Sequence, residues 1–188
     1  RITLAQMNPT LGYLAGNAAL AKRAWEEGKA AGADFVALTE MFITGYNTQD
    51  LVMKPAFTRD AMAQIDRLKT ECADGPALAI GGPLQQGDKL YNAYYILKGG
   101  RLVRLVLKHH LPNETVFDEV RLYDSGPIVG PFAVDNLVRI GTPICEDAWH
   151  EEVPEALAES GAQILLVTNG SPYYRNKYED RLNAMVSR

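Results

Sequence analysis

Short apolar runs alternate with amphipathic stretches along this chain, and that alternation constrains its fold more than any other feature. ITLAQM (2–7), FVALTE (35–40), ALAIGGP (77–83), LVRIGTPIC (137–145) and AQILLVTNG (162–170) read as strands. Between them, Leu14, Ala18, Ala21, Trp25 and Gly28 recur at helical spacing over 14–31, with Gly32 as the stop. Ala61, Ile65, Leu68 and Cys72 form a second such stripe over 58–74. YNAYYILKGGRLVRLVLK (91–108) reads as a hairpin turning at Gly99-Gly100, and helices are expected over 151–160 and 177–187. Gly81-Gly82-Pro83 reads as a turn, not as a phosphate-binding loop. The pattern predicts one α/β domain over residues 1–188, with helices covering a mixed sheet. The irregular stretches 41–57, 109–131 and 169–176 then follow strand ends, where function collects.

Composition narrows the function classes. A hydrophobic content of 47% suits a sizeable core, and the net charge of −4 argues against a nucleic-acid or anionic-membrane partner. No apolar run approaches the length of a membrane span. With only Cys72 and Cys145, a disulfide framework is not expected, and a reducing cytoplasm is the default location. Cys72 lies in a helical stripe and reads as core filler, whereas Cys145 does not.

Three reactive residues share one setting. Glu40, Lys108 and Cys145 each end an apolar run and precede a loop. Strands running parallel in one sheet would bring all three to the same rim. Alone, each has an ordinary reading: a solvated strand end for Lys108 or Glu40, a core thiol for Cys145. Together they make acyl-transfer chemistry. A carboxylate takes the thiol proton, and an ammonium stabilises first the thiolate and then an oxyanion. Backbone N–H groups just after Cys145 are further candidates for the oxyanion. Glu146 and Asp147 disfavour a thiolate unless the strand-to-turn junction aims them away. His109 and His110 leave a Cys–His pair open as an alternative. As neighbours on an extended segment they should point oppositely, so that at most one faces the thiol. His109, His110, Asp147 and His150 fit no standard metal-ligand spacing, and no metal is expected; His150 reads as solvated or capping.

LTEMFITGY, LKHHLPNETVFDE, GTPICEDAW and NGSPYY, in this order, resemble the carbon–nitrogen hydrolase (nitrilase) superfamily. The variants are most similar to the N-terminal glutaminase domains of glutamine-dependent NAD+ synthetases. The resemblance implies a four-layer αββα sandwich, with Glu40 as general base, Lys108 as intermediate stabiliser and Cys145 as nucleophile. Glu119 is then a supporting carboxylate, its alternative being a surface salt bridge. Tyr46, Glu146, Ser171 and Tyr173 are pocket candidates. Glu114 stands after LPN, where the family often has an aromatic residue, and joins the expected pocket in its place. The implied substrate is L-glutamine, with no cofactor in the amide step. ATP, magnesium and deamido-NAD+ are expected on a synthetase domain outside this chain, which breaks off inside a helix and reads as a fragment short of the full sandwich. A homo-oligomer is expected. The competing readings are a stand-alone amidase or carbamoylase of the same superfamily, and a non-catalytic interaction module.

Overall fold

A computed structural model describes residues 1–135 and 138–186. Strands β1 (Ile2–Leu4), β2 (Phe35–Ala37), β3 (Ala77–Gln86), β4 (Lys89–Lys98) and β5 (Arg101–Leu107) form one sheet in chain order. The β1–β2 and β2–β3 pairs are parallel, and β3–β4 and β4–β5 are antiparallel. By that sequence of reversals, β2 and β5 point the same way and deliver their C-terminal ends to one rim. A second sheet pairs β6 (Ile140–Gly141) with β7 (Ile164–Leu165) in parallel.

Alternation along the strands builds two cores. Val36, Leu78, Ile80, Tyr95 and Leu97 face helices α1 (Leu14–Ala30) and α2 (Pro55–Glu71). Their neighbours Phe35, Ala37, Ala77, Ala79, Tyr94 and Ile96 face Ile140, Ile144 and Leu166 of the second-sheet region. Ile140 turns towards the first sheet, while next to it Gly141 faces Leu157 of α4 (Glu152–Glu159). The layers are therefore helix, sheet, sheet, helix.

Several elements depart from the sequence reading for local reasons. Helix α2 begins at Pro55, earlier than the apolar stripe suggests, because proline at the first turn gives up no needed N–H. Cys72 caps that helix instead of lying within it, yet is buried in the α-facing core. Gly81-Gly82-Pro83 is not a turn but the middle of β3. The strands read over 137–145 and 162–170 shrink to β6 and β7. Pro143 has no N–H for a ladder, and pairing resumes only as a bridge between Ile144 and Thr168. Residue 137 of that stretch, and residue 187 of the last helix, lie outside the described residues; α5 is described over Lys177–Val186. A short α3 (Glu119–Leu122) was not anticipated, whereas the turn expected just after Cys145 is a 3-10 turn over Cys145–Ala148.

Candidate active site

The loop after β2 carries Glu40 across the surface of β3. Gly81 permits this approach: a Cβ there would sit 2.2 Å from the Met41 nitrogen and 2.7 Å from the Glu40 carbonyl carbon. Glu40 is buried, and three donors converge on its carboxylate. Lys108 Nζ (2.8 Å) and Asn92 Nδ2 (2.9 Å) donate to Oε1, and the Gly170 N–H (2.7 Å) donates to Oε2.

Lys108, directly after β5, is completely buried with its ammonium between two carboxylates. Glu40 Oε1 lies at 2.8 Å and Glu119 Oε2 at 2.7 Å. Burial alone would push its pKa down, but the two carboxylates outweigh it and hold the ammonium above the ordinary lysine value. Glu119, at the start of α3, is no surface residue; its side chain is 0% exposed. Its Oε1 accepts from Tyr46 Oη at 3.0 Å and Asn92 Nδ2 at 3.3 Å. Burial and Glu40 raise the Glu119 pKa, against the opposing pull of Lys108.

Cys145 does not come from the same sheet, contrary to the expectation of one shared rim. It follows β6 in the second sheet, and the facing of the two sheets brings it to Glu40 and Lys108. It sits at φ 47°, a left-handed conformation costly for a residue with a Cβ. The turn separates its side chain from those of its acidic neighbours. Asp147 points into the protein backbone and Glu146 towards His150, with Glu146 Oε1 3.2 Å from His150 Nε2. Burial, with help from Glu40 and against Lys108, pushes the Cys145 thiol up to about 12. The resting sulfur is therefore a thiol. Its hydrogen-bond contact is Ser171 Oγ at 3.4 Å. The Cys145 N–H is already committed to the Thr168 carbonyl at 2.8 Å, and the Asp147 N–H to Ile144 O at 3.0 Å, so neither is a ready oxyanion donor.

The pocket candidates divide. Tyr46 reaches the ion cluster through Glu119. Ser171 and Tyr173 line a cleft of about 610 Å³ whose wall also includes Glu40, Tyr46, Lys177 and Arg181. Tyr173 is 94% exposed there. Glu146 is occupied with His150. Glu114 is exposed and not in the cluster; its backbone carbonyl accepts from the Phe117 N–H. Phe117 packs against Tyr46 with ring centroids 6.1 Å apart, supplying an aromatic three residues after the position where one was expected.

Sequence reasoning missed Asn92 and the role of Asp147. Asn92 is the lone amide in the apolar run of β4, a signal that was present. Asp147 is buried and accepts the backbone N–H groups of His109 (3.1 Å) and His110 (2.7 Å) on Oδ1, and that of Ile144 (3.0 Å) on Oδ2. One carboxylate thus ties the segment after Lys108 to the residue before Cys145. The two histidines do not point oppositely. Both imidazoles turn to Glu152, and His109 Nδ1 is anchored on the Gly126 carbonyl at 2.7 Å. The segment has left the strand at this point, so the alternation rule no longer applies.

A layered αββα scaffold with a buried Glu–Lys–Glu cluster facing a strained cysteine defines a class. The chain belongs to the carbon–nitrogen hydrolase family, whose model matches residues 1–188. It is 58% identical over 181 residues to a glutamine-dependent NAD(+) synthetase of Rhodobacter capsulatus, covering 96% of this chain and 33% of that protein. It is 31% identical to the Thermotoga maritima protein of the same description, covering 94% and 31%. The chain thus spans about a third of the length of these relatives. The structure of glutamine-dependent NAD+ synthetase from Acinetobacter baumannii superposes with a TM-score of 0.87 at 28% identity, over 96% of this chain and 34% of that one. An amidase from Nesterenkonia sp. shares the fold, with a TM-score of 0.76 at 19% identity over 88% and 63% of the two chains.

Proposed function

We propose that this chain is a glutaminase unit that hydrolyses the side-chain amide of L-glutamine through a thioester on Cys145. The observation that carries the reading is the buried Lys108 ammonium, held at 2.7–2.8 Å by two carboxylates beside the strained Cys145. In the proposed cycle Glu40 takes the thiol proton as sulfur attacks the amide carbon. Lys108 faces the oxyanion of the tetrahedral intermediate. The proton passes from Glu40 to the departing nitrogen, and ammonia leaves. Glu40 then deprotonates water, which attacks the thioester and releases glutamate with the thiol restored. Glu119 and Asn92 position Glu40 and Lys108. Cationic Lys177 and Arg181 on the cleft wall suit an α-carboxylate. Because Cys145 is buried against Ser171, substrate entry requires the 169–173 segment to shift.

The relatives' description, glutamine-dependent NAD+ synthetase, supports delivery of the ammonia to a synthetase unit, and the expectation of ATP, magnesium and deamido-NAD+ on that unit belongs to the same reading. The Gly81-Gly82 pair offers that nucleotide no phosphate cradle. Both glycines lie within β3, and Gly81 packs against the Glu40 backbone. Assembly as a homo-oligomer and a cytoplasmic location belong to the same reading; among the described residues no helix is long and apolar enough to cross a membrane.

A glutamine-like diazo-ketone tests the proposal. One label per chain on Cys145, blocked by glutamine and absent in Cys145→Ala, is expected. Ammonia release from glutamine by Cys145→Ala would overturn the nucleophile assignment. Faster turnover of simple aliphatic amides than of glutamine would favour the stand-alone amidase.

A further inference from the structure

We propose that His109, His110 and Glu152 form a binding site for a borderline divalent metal ion of the zinc class, separate from the ion cluster. A single carboxylate oxygen, Glu152 Oε2, lies 3.6 Å from His109 Nε2 and 3.4 Å from His110 Nε2. One ligand atom from each of the three residues lies within 4.8 Å of the others. The histidine–carboxylate separations are long for charge-assisted hydrogen bonds. They match the edge of a tetrahedron, about 3.4 Å for metal–ligand distances of about 2.0–2.1 Å.

The donors are prepared for that use. The Gly126 carbonyl, 2.7 Å from His109 Nδ1, can only accept, so Nδ1 carries the proton and Nε2 presents its lone pair. His110 Nε2 is a buried atom without a hydrogen-bond partner among the described residues. The ring of His150 stacks on His110 at 4.1 Å, while its Nε2 is turned to Glu146. Two imidazoles and one carboxylate select zinc, cobalt or nickel over magnesium or calcium, and leave a fourth position for water. Sequence spacing hid the set, because Glu152 enters from the first turn of α4, across the sandwich from β5. A metal here would clamp the segment after Lys108 to α4.

The test is a Zn2+ titration against a chromophoric chelator, using the longest natural polypeptide that contains this chain. Wild type is expected to bind one more equivalent per chain than His110→Ala or Glu152→Gln, or to bind it at least about tenfold more tightly. Cys145→Ala and His150→Ala are expected to bind like wild type, and Zn2+ to raise the melting temperature only where the site is intact. Equal binding by wild type, His110→Ala and Glu152→Gln would overturn the proposal. So would loss confined to Cys145→Ala, which would assign the metal to the thiol.

Discussion

Removing the Lys108 ammonium should expose how the buried cluster is held together. Formally it contains two carboxylates and one ammonium, a charge of −1, with Lys108 and both glutamates shielded from solvent. Lys108→Met takes that to −2 and leaves Glu40 and Glu119 facing one another without a cation. Breaking a buried pair in this way costs about 3–5 kcal/mol. With a urea m-value of about 2 kcal/mol/M, the midpoint falls by about 1.5–2.5 M. Adding Glu119→Gln returns the charge to −1. The double variant should therefore recover at least about 1.5 kcal/mol over Lys108→Met, opposite in sign to additivity. The pH dependence follows from the carboxylates. Without Lys108 the folded-state pKa of Glu119 rises further above the unfolded value, extending the shift it already shows. An acid whose pKa is raised by folding destabilises the fold once pH exceeds its unfolded pKa, and that penalty disappears below it. The Lys108→Met deficit should thus be large at pH 8 and shrink towards pH 5. Urea melts followed through the fluorescence of buried Trp25 would read all of this. A loss below about 1 kcal/mol, or a double variant weaker than Lys108→Met, would refute the electrostatic account.

Three further outcomes are expected. Alkylation of Cys145 by iodoacetamide in a Glu40→Gln background, read by peptide mass spectrometry, should rise about tenfold per pH unit from pH 7 to 9. Burial is the leading cause of its raised pKa, whereas a plateau near pH 8.5 would mark an ordinary thiol. Asp147→Asn should lower kcat more than KM and cost about 1–3 kcal/mol in denaturant melts. Either amide orientation sets an NH2 group against a backbone N–H that Asp147 now accepts; unchanged kinetics would remove its positioning role. Gly81→Ala should cost at least about 2 kcal/mol and lose activity together with stability, because its Cβ must displace the Met41 backbone beside Glu40. Full activity in that variant would show that the Glu40 loop does not depend on the close approach.

What could be read from the sequence divides along the range of the interactions involved. The alternation of α1, β2, α2 and the β4–β5 hairpin is written locally, in apolar spacing and the Gly99-Gly100 turn. Glu40, Lys108 and Cys145 stood out because each ends an apolar run. That Cys145 arrives from a second sheet was not legible, since no periodicity within LVRIGTPIC says which sheet it joins. The same limit hid the use of Asp147 as a tie between two loops, and the meeting of Glu152 with His109 and His110. Glu114 misled for a related reason: a family position predicts a residue type, but packing let Phe117 fill the aromatic role beside Tyr46.

The raised thiol pKa and a cysteine nucleophile are compatible once charge is counted over the cluster. Losing the Cys145 proton to solvent adds a negative charge to a buried site already rich in carboxylate, and a pKa of about 12 expresses that cost. Passing the same proton to Glu40 adds none. The carboxylate becomes neutral as the sulfur becomes negative, and Lys108, in contact with Glu40 at 2.8 Å, remains to face whichever atom carries the charge. Desolvation that penalises a free thiolate therefore does not penalise internal transfer to the same degree. It keeps the sulfur protonated and inert until an electrophile is in place. On this reasoning Glu146 and Asp147 are tolerable beside the proposed nucleophile because no standing thiolate is needed. Asp147 meanwhile accepts backbone N–H groups on both flanks of the cleft, giving its charge to the alignment of Lys108 and Cys145.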